Sequence, residues 1–187
     1  MVTAYAKISR RRRETGRYAP RGSTGLFVAG YLISWTAFGL VAYGLYEAVV
    51  SVAPGALAAD AGGRYAAAGV IIAAAVYQLT PAKNVCLTKC RTPLDFILHR
   101  MRPGLGGALW MGMEHGAWCV GCCWALMVAL FALGVMSVGW MALVGAFIAV
   151  EKMLPWKRLA NRAVSAALVL IAVGIVLMPG AAPGMTM

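Results

Sequence analysis

Acidic residues are scarce in this sequence. Only 6 of its 187 residues are Asp or Glu, and all charged residues together make up 12%. A soluble domain carries about a quarter charged residues, so an ordinary water-soluble globule is excluded. Histidine occurs twice, and no Ser-His-Asp order, phosphate-cradling Gly loop, haem-attachment motif or pair of intramembrane carboxylates is present. Those gaps remove the common hydrolase, nucleotide and haem chemistries, and the chain is expected not to be an enzyme. No internal repeat and no Pro-rich or Ser-rich linker divides it into domains.

What is there is apolar. Hydrophobic residues make up 61% of the chain and mean hydropathy is +0.76. The runs are long enough to cross a bilayer, which predicts an all-α, polytopic transmembrane helix bundle. Five spans are expected, at about 26–50, 61–79, 117–136, 138–154 and 163–178. A basic arm (1–25) precedes them, a Cys-containing polar segment (80–103) divides them, and a short tail (180–187) follows. The first apolar run is too long for a signal-peptide core and lacks a convincing cleavage site.

The formal charge of +11 follows topology. Lys7, Arg10, Arg11, Arg12, Arg13, Arg17 and Arg21 precede the first span. Lys83, Lys89, Arg91, Arg100 and Arg102 lie between the second and third, and Lys152, Lys157, Arg158 and Arg162 between the fourth and fifth. Only Arg64 falls on the opposite side. This bias places the amino end in the cytoplasm of a multi-pass protein of the bacterial inner membrane. It also predicts attraction to anionic lipid rather than to nucleic acid. Spans rich in small residues, such as "GYLISWTAFG" and "GVMSVGWMALVG", predict close helix contacts within the chain or with other membrane subunits.

The chemistry concentrates in "WMGMEHGAWCVGCCWALM", Trp110 to Met127. All five cysteines, Cys86, Cys90, Cys119, Cys122 and Cys123, fall within one stretch of the chain and face a reducing compartment, where structural disulfides are rare. Cys86 and Cys90 are i and i+4. His115, Cys119 and either Cys122 or Cys123 are i, i+4 and i+7 or i+8. Two helices can therefore present a soft-metal site, copper(I) in preference to zinc. Met111, Met113, Met136 and Glu114 are possible auxiliary ligands. Lys83, Lys89 and the positive end of the third helix are expected to favour thiolate. Single cysteines in membrane helices usually serve packing, and Met127, Met141 and Met153 read as core or lipid-facing. His99 is expected on an interfacial amphipathic helix. Glu114 and Glu151 are each expected to pair with a basic neighbour at the interface, with Lys152 and Arg158 available to Glu151, or to line a polar site.

"YQLTPAKNVCLTKCRTPL" (Tyr77–Leu94) and "GMEHGAWCVGCCWALMVALFALGVMSVGWMALVGAFIAVEKMLPW" (Gly112–Trp156) resemble the bacterial family of predicted metal-binding integral membrane proteins. The likeness extends back to "FVAGYLISWTAF", and the matching positions are Cys86, Cys90, His115, Cys119, Cys122, Cys123, Trp124, Met127, Met136, Trp140, Glu151 and Lys152. The resemblance implies a helical membrane bundle and a metal, with no established reaction. It also implies a Met-rich, Pro-containing first segment, which this chain replaces with its basic arm. Two functional expectations follow: copper handling or cuproenzyme assembly, or an accessory subunit of a larger respiratory or light-harvesting complex with no metal bound. A thiol-redox role for Cys122 and Cys123 is disfavoured, because adjacent cysteines form strained disulfides.

Overall fold

The computed structural model describes residues 2–14, 22–52, 61–92, 104–133, 137–154 and 156–177. Among these the chain is all-helical. α1 is Val2–Glu14, α2 Ser23–Val52, α3 Ala61–Gln78 and α4 Pro81–Arg91, and α5 is Gly104–Leu133, α6 Val138–Met153 and α7 Lys157–Leu177. By length and composition three helices are apolar enough to cross a membrane: α2, α5 and Arg158–Leu177 of α7. The bent pair Gly63–Gln78 and Pro81–Arg91 would make a fourth. α6 has 16 residues, roughly 24 Å of helix, short for a hydrocarbon core of about 30 Å. The third long helix starts at Gly104, well before the expected Ala117. Its glycines do not break it.

The bend between α3 and α4 is 67° and has a local cause. Proline restricts the residue before it, here Thr80, and has no N–H to continue the α3 ladder, yet suits the first position of a new helix. The Tyr77 carbonyl, which Pro81 cannot serve, accepts from both the Thr80 N–H at 3.0 Å and the Thr80 hydroxyl at 2.8 Å.

The chain divides into two compact units. The first comprises Met1–Tyr43 and Val85–Cys122, the second Gly44–Asn84 and Cys123–Met187. In the first, α2 and α5 cross at glycine. A β-carbon on Gly30 would strike the Leu109 carbonyl oxygen and come within 2.9 Å of the Met113 nitrogen. One on Gly112 would strike the Phe27 carbonyl oxygen, and one on Gly116 would lie 2.7 Å from Ser34 Cβ. The small-residue pairs Gly30/Ser34 and Gly112/Gly116, each one turn apart, are the contact. The Ser34 hydroxyl seals it by donating to the Met113 carbonyl at 2.9 Å. α1 joins this unit through Tyr5, stacked on Phe27 at 4.8 Å. Part of the basic arm is thus a packed helix.

The second unit is built on α3 against α7, with Ile71, Ala75, Leu126, Val164 and Leu168 in its core. At one level it is polar. Lys83 donates to Glu151 at 2.7 Å with both side chains almost wholly buried. Asn161 donates to Asn84 at 3.0 Å and Ser165 to the Ala75 carbonyl at 2.9 Å. The direct ion-pair partner of Glu151 is thus Lys83, beyond the nearby Lys152 and Arg158 that its sequence position suggests. The physical reason is burial: a carboxylate at 2% exposure needs a cation reaching it inside the fold.

Candidate metal centre

The helix period brings three sulfurs together from two elements. Cys119 and Cys122 stand i, i+3 on α5, so their side chains share one face. Cys90 sits in the last turn of α4. The three Sγ atoms lie within 4.8 Å of one another. Cys119 and Cys122 are buried and Cys90 is half-buried. A metal–sulfur bond of about 2.3 Å would set the corners of a planar three-sulfur site roughly 4.0 Å apart. Closing on an ion therefore takes movements of under about 1 Å, within reach of small χ1 adjustments.

The surroundings hold the thiols in place. The Cys122 thiol donates back to the Cys119 carbonyl at 3.1 Å. The Tyr31 hydroxyl of α2 lies 3.5 Å from Cys119 Sγ, carried there by the glycine crossing one turn away. Lys89 lies over the Trp118 ring, 4.7 Å from its centroid, so an ammonium stands beside Cys90 and Cys119 along the chain. Three thiolates this close would repel one another, so a cation is what makes deprotonating them together favourable.

The family model that matches is described as "PpoB2: Copper chaperone" and covers residues 1–176. The chain belongs to this copper chaperone family. No curated protein and no solved structure matches it.

The chain's other candidate residues are placed as follows. Cys86 is half-buried and is not one of the three grouped sulfurs; its Sγ would lie 3.0 Å from a β-carbon on Gly121. His115 is buried with its ring near-parallel to those of Phe27 and Tyr31, centroids 6.2 Å and 6.0 Å away, and it is not grouped with the sulfurs. Cys123 is buried and belongs to the second unit. Met111 fills the core with Tyr5, Phe27 and Ala108. Met113 is half-buried and offers its carbonyl to Ser34, and Glu114 is half-buried. Met136 and His99 lie outside the described residues.

Lys83, expected from the sequence to favour thiolate, has its ammonium paired with Glu151. Tyr31 and Trp118 are site neighbours that sequence reasoning missed. The available signal for Trp118 was its place beside Cys119. For Tyr31 it was the small-residue spacing of Gly30 and Ser34 around it.

Proposed function

We propose that this protein is a membrane-embedded copper(I) carrier that holds the ion on Cys90, Cys119 and Cys122 and passes it to a copper enzyme. The observation that carries the reading is the convergence of three sulfurs, all within 4.8 Å, from two helices. Membership of the copper chaperone family supports the same reading. Soft thiolates select copper(I), whereas structural zinc is almost always four-coordinate and catalytic zinc keeps three protein ligands plus water. A three-sulfur shelf with no fourth Cys, His, Asp or Glu donor grouped with it among the described residues suits copper(I) better. No reaction is assigned, and the protein is read as a non-enzyme.

Membrane embedding is supported by the exposed surface of α2. Leu32, Ile33, Leu40, Val41, Tyr43 and Leu45 all stand open, and an apolar strip of that length belongs in lipid or against another membrane subunit. The charge bias makes the inner membrane, amino end in the cytoplasm, the consistent orientation.

The test is metal analysis of protein purified in mild detergent under reducing conditions and loaded with copper(I). About one equivalent is expected in the native chain, with three sulfur neighbours by X-ray absorption, and Cys119→Ser is expected to lose it. Less than about a tenth of an equivalent in the native chain, given the nanomolar-or-tighter binding a carrier needs, would refute the reading.

A further inference from the structure

α4 and the facing turn of α5 carry five thiols; the triplet uses three and Cys123 belongs to the second unit, which leaves a fourth in the triplet's own unit. The fourth, Cys86, is one helical turn before Cys90 on the same face of α4, roughly 6 Å along the axis. It is not a stray packing residue. Its sulfur rests over Gly121, where a β-carbon would come within 3.0 Å of Sγ and 3.6 Å of Cβ, and Gly121 is the residue immediately before Cys122. Glycine there is what lets the Cys86 thiol lie down on α5 beside the triplet. Exposure is graded in the same direction. Cys86 and Cys90 are half-buried, while Cys119 and Cys122 are buried at 2% exposure.

We propose that Cys86 is the transfer thiol of the site: it shares the ion with Cys90 in passage and is released when Cys119 and Cys122 take it. The proposal rests on the copper(I) reading above. In the loading direction the ion is first held by the thiolates of Cys86 and Cys90, both on α4. The Cys119 sulfur then bonds to copper and gives up its proton, the bond to Cys86 breaks, and Cys86 regains a proton. The Cys122 sulfur completes the trigonal set and its proton leaves to solvent. Copper stays in the +1 state throughout, so no oxidant or reductant is needed. Cys90 never lets go, which keeps the ion bound at every stage. Delivery is the reverse, ending with copper on the two less buried thiols, where an acceptor's own sulfur or imidazole can reach it.

This division of roles separates holding from exchanging. Cys86→Ser is expected to keep one copper(I) with three sulfur neighbours and nearly native affinity. Its transfer to and from a chromophoric copper(I) chelator, followed by stopped flow, should slow by about tenfold or more, the scale on which removing a supporting group acts at metal sites. Gly121→Ala keeps every thiol but lifts Cys86 off α5, and should slow transfer in the same way. A measurement on the native chain avoids any folding loss in the variants: in copper-loaded protein, N-ethylmaleimide should modify Cys86 while Cys90, Cys119 and Cys122 are protected, read by peptide mass. Native transfer rates in Cys86→Ser, a drop in sulfur neighbours in that variant, or protection of Cys86 equal to that of Cys90 would each overturn the assignment. If the native chain takes up no copper at all, the copper reading falls and this one falls with it. If it loads normally and only the rates or the protection disagree, this inference alone fails.

Discussion

Replacing Glu151 by Gln tests whether the second unit depends on its buried ion pair. Lys83 Nζ and Glu151 Oε2 are 2.7 Å apart, with side-chain exposures of 1% and 2%. At an effective dielectric of about 20 their attraction is roughly 6 kcal/mol, opposed by the desolvation of both charges. The net value of the pair is therefore modest, but the value of breaking it is not. Gln keeps the shape of Glu and leaves the ammonium without its counter-charge, and removal of one partner from a buried pair costs about 3–5 kcal/mol. For a chain of this size each kcal/mol is worth about 2–4 °C in Tm, so a fall of roughly 6–20 °C is expected on the same scale. The assay is thermal unfolding in a single detergent, followed by light scattering and intrinsic fluorescence. The double variant Lys83→Met, Glu151→Leu removes both charges together and should recover most of the loss, because apolar replacement of a complete pair is often neutral. The reasoning fails if Glu151→Gln melts within about 2 °C of the native chain, or if the double variant is as weak as the single.

Three further outcomes follow from the geometry. Gly112→Ala places a methyl group against the Phe27 carbonyl; because backbone must move, it should cost at least the ~1–3 kcal/mol of an overpacked core and lower copper retention with Tm, whereas Gly145→Ala, which meets nothing within 4 Å, should do neither. Lys89→Met removes the ammonium over Trp118; it should weaken copper(I) affinity by about fivefold, some 1 kcal/mol of exposed-site attraction, and shift Trp fluorescence, and an unchanged affinity would show that this charge does not offset the thiolates. Met111→Leu should leave the sulfur count around copper unaltered and cost under about 1.5 kcal/mol, since Met111 is packed among Tyr5, Phe27 and Ala108; a lost scatterer in X-ray absorption would return it to the ligand set.

Helical class was legible because apolar runs and small-residue spacing are local signals. "GYLISWTAFG" advertised a close crossing and Gly30 and Ser34 make it, but with Gly112 and Gly116, whereas Gly139 and Gly145 of "GVMSVGWMALVG" make no close approach. The grouping of Cys119 with Cys122 was legible for the same reason, as i and i+3 on one helix. What was not legible depends on tertiary choice. Spacing left Cys122 and Cys123 equivalent, and only the fold of α4 onto α5 selects Cys122. His115 satisfied the i, i+4 rule with Cys119, yet its ring packs against Phe27 and Tyr31, because α2 supplies aromatic surfaces that no local pattern reveals. Glu151 had two basic neighbours in sequence and chose a third, Lys83, 68 positions away. Burial decided that pairing, and burial cannot be read from one segment alone.

A carrier has to solve a problem that a storage site does not: its ion must be held firmly yet leave on contact with an acceptor. Four good sulfur ligands in a closed shell would give a structural site of the kind that unfolds before it releases metal. Three sulfurs from two helices leave the copper(I) coordination open on one side. The two helices also differ in how firmly they are placed. α5 is locked against α2 by glycine contacts that admit no slack, so Cys119 and Cys122 sit on a fixed wall. Cys90 is near the end of α4, an 11-residue helix beyond a sharp bend, and its turn-mate Cys86 touches that wall only across Gly121. The fixed pair favours retention and the α4 pair favours exchange. On the proposed reading that asymmetry explains why a chain with five cysteines gathers three of them tightly and keeps a fourth alongside.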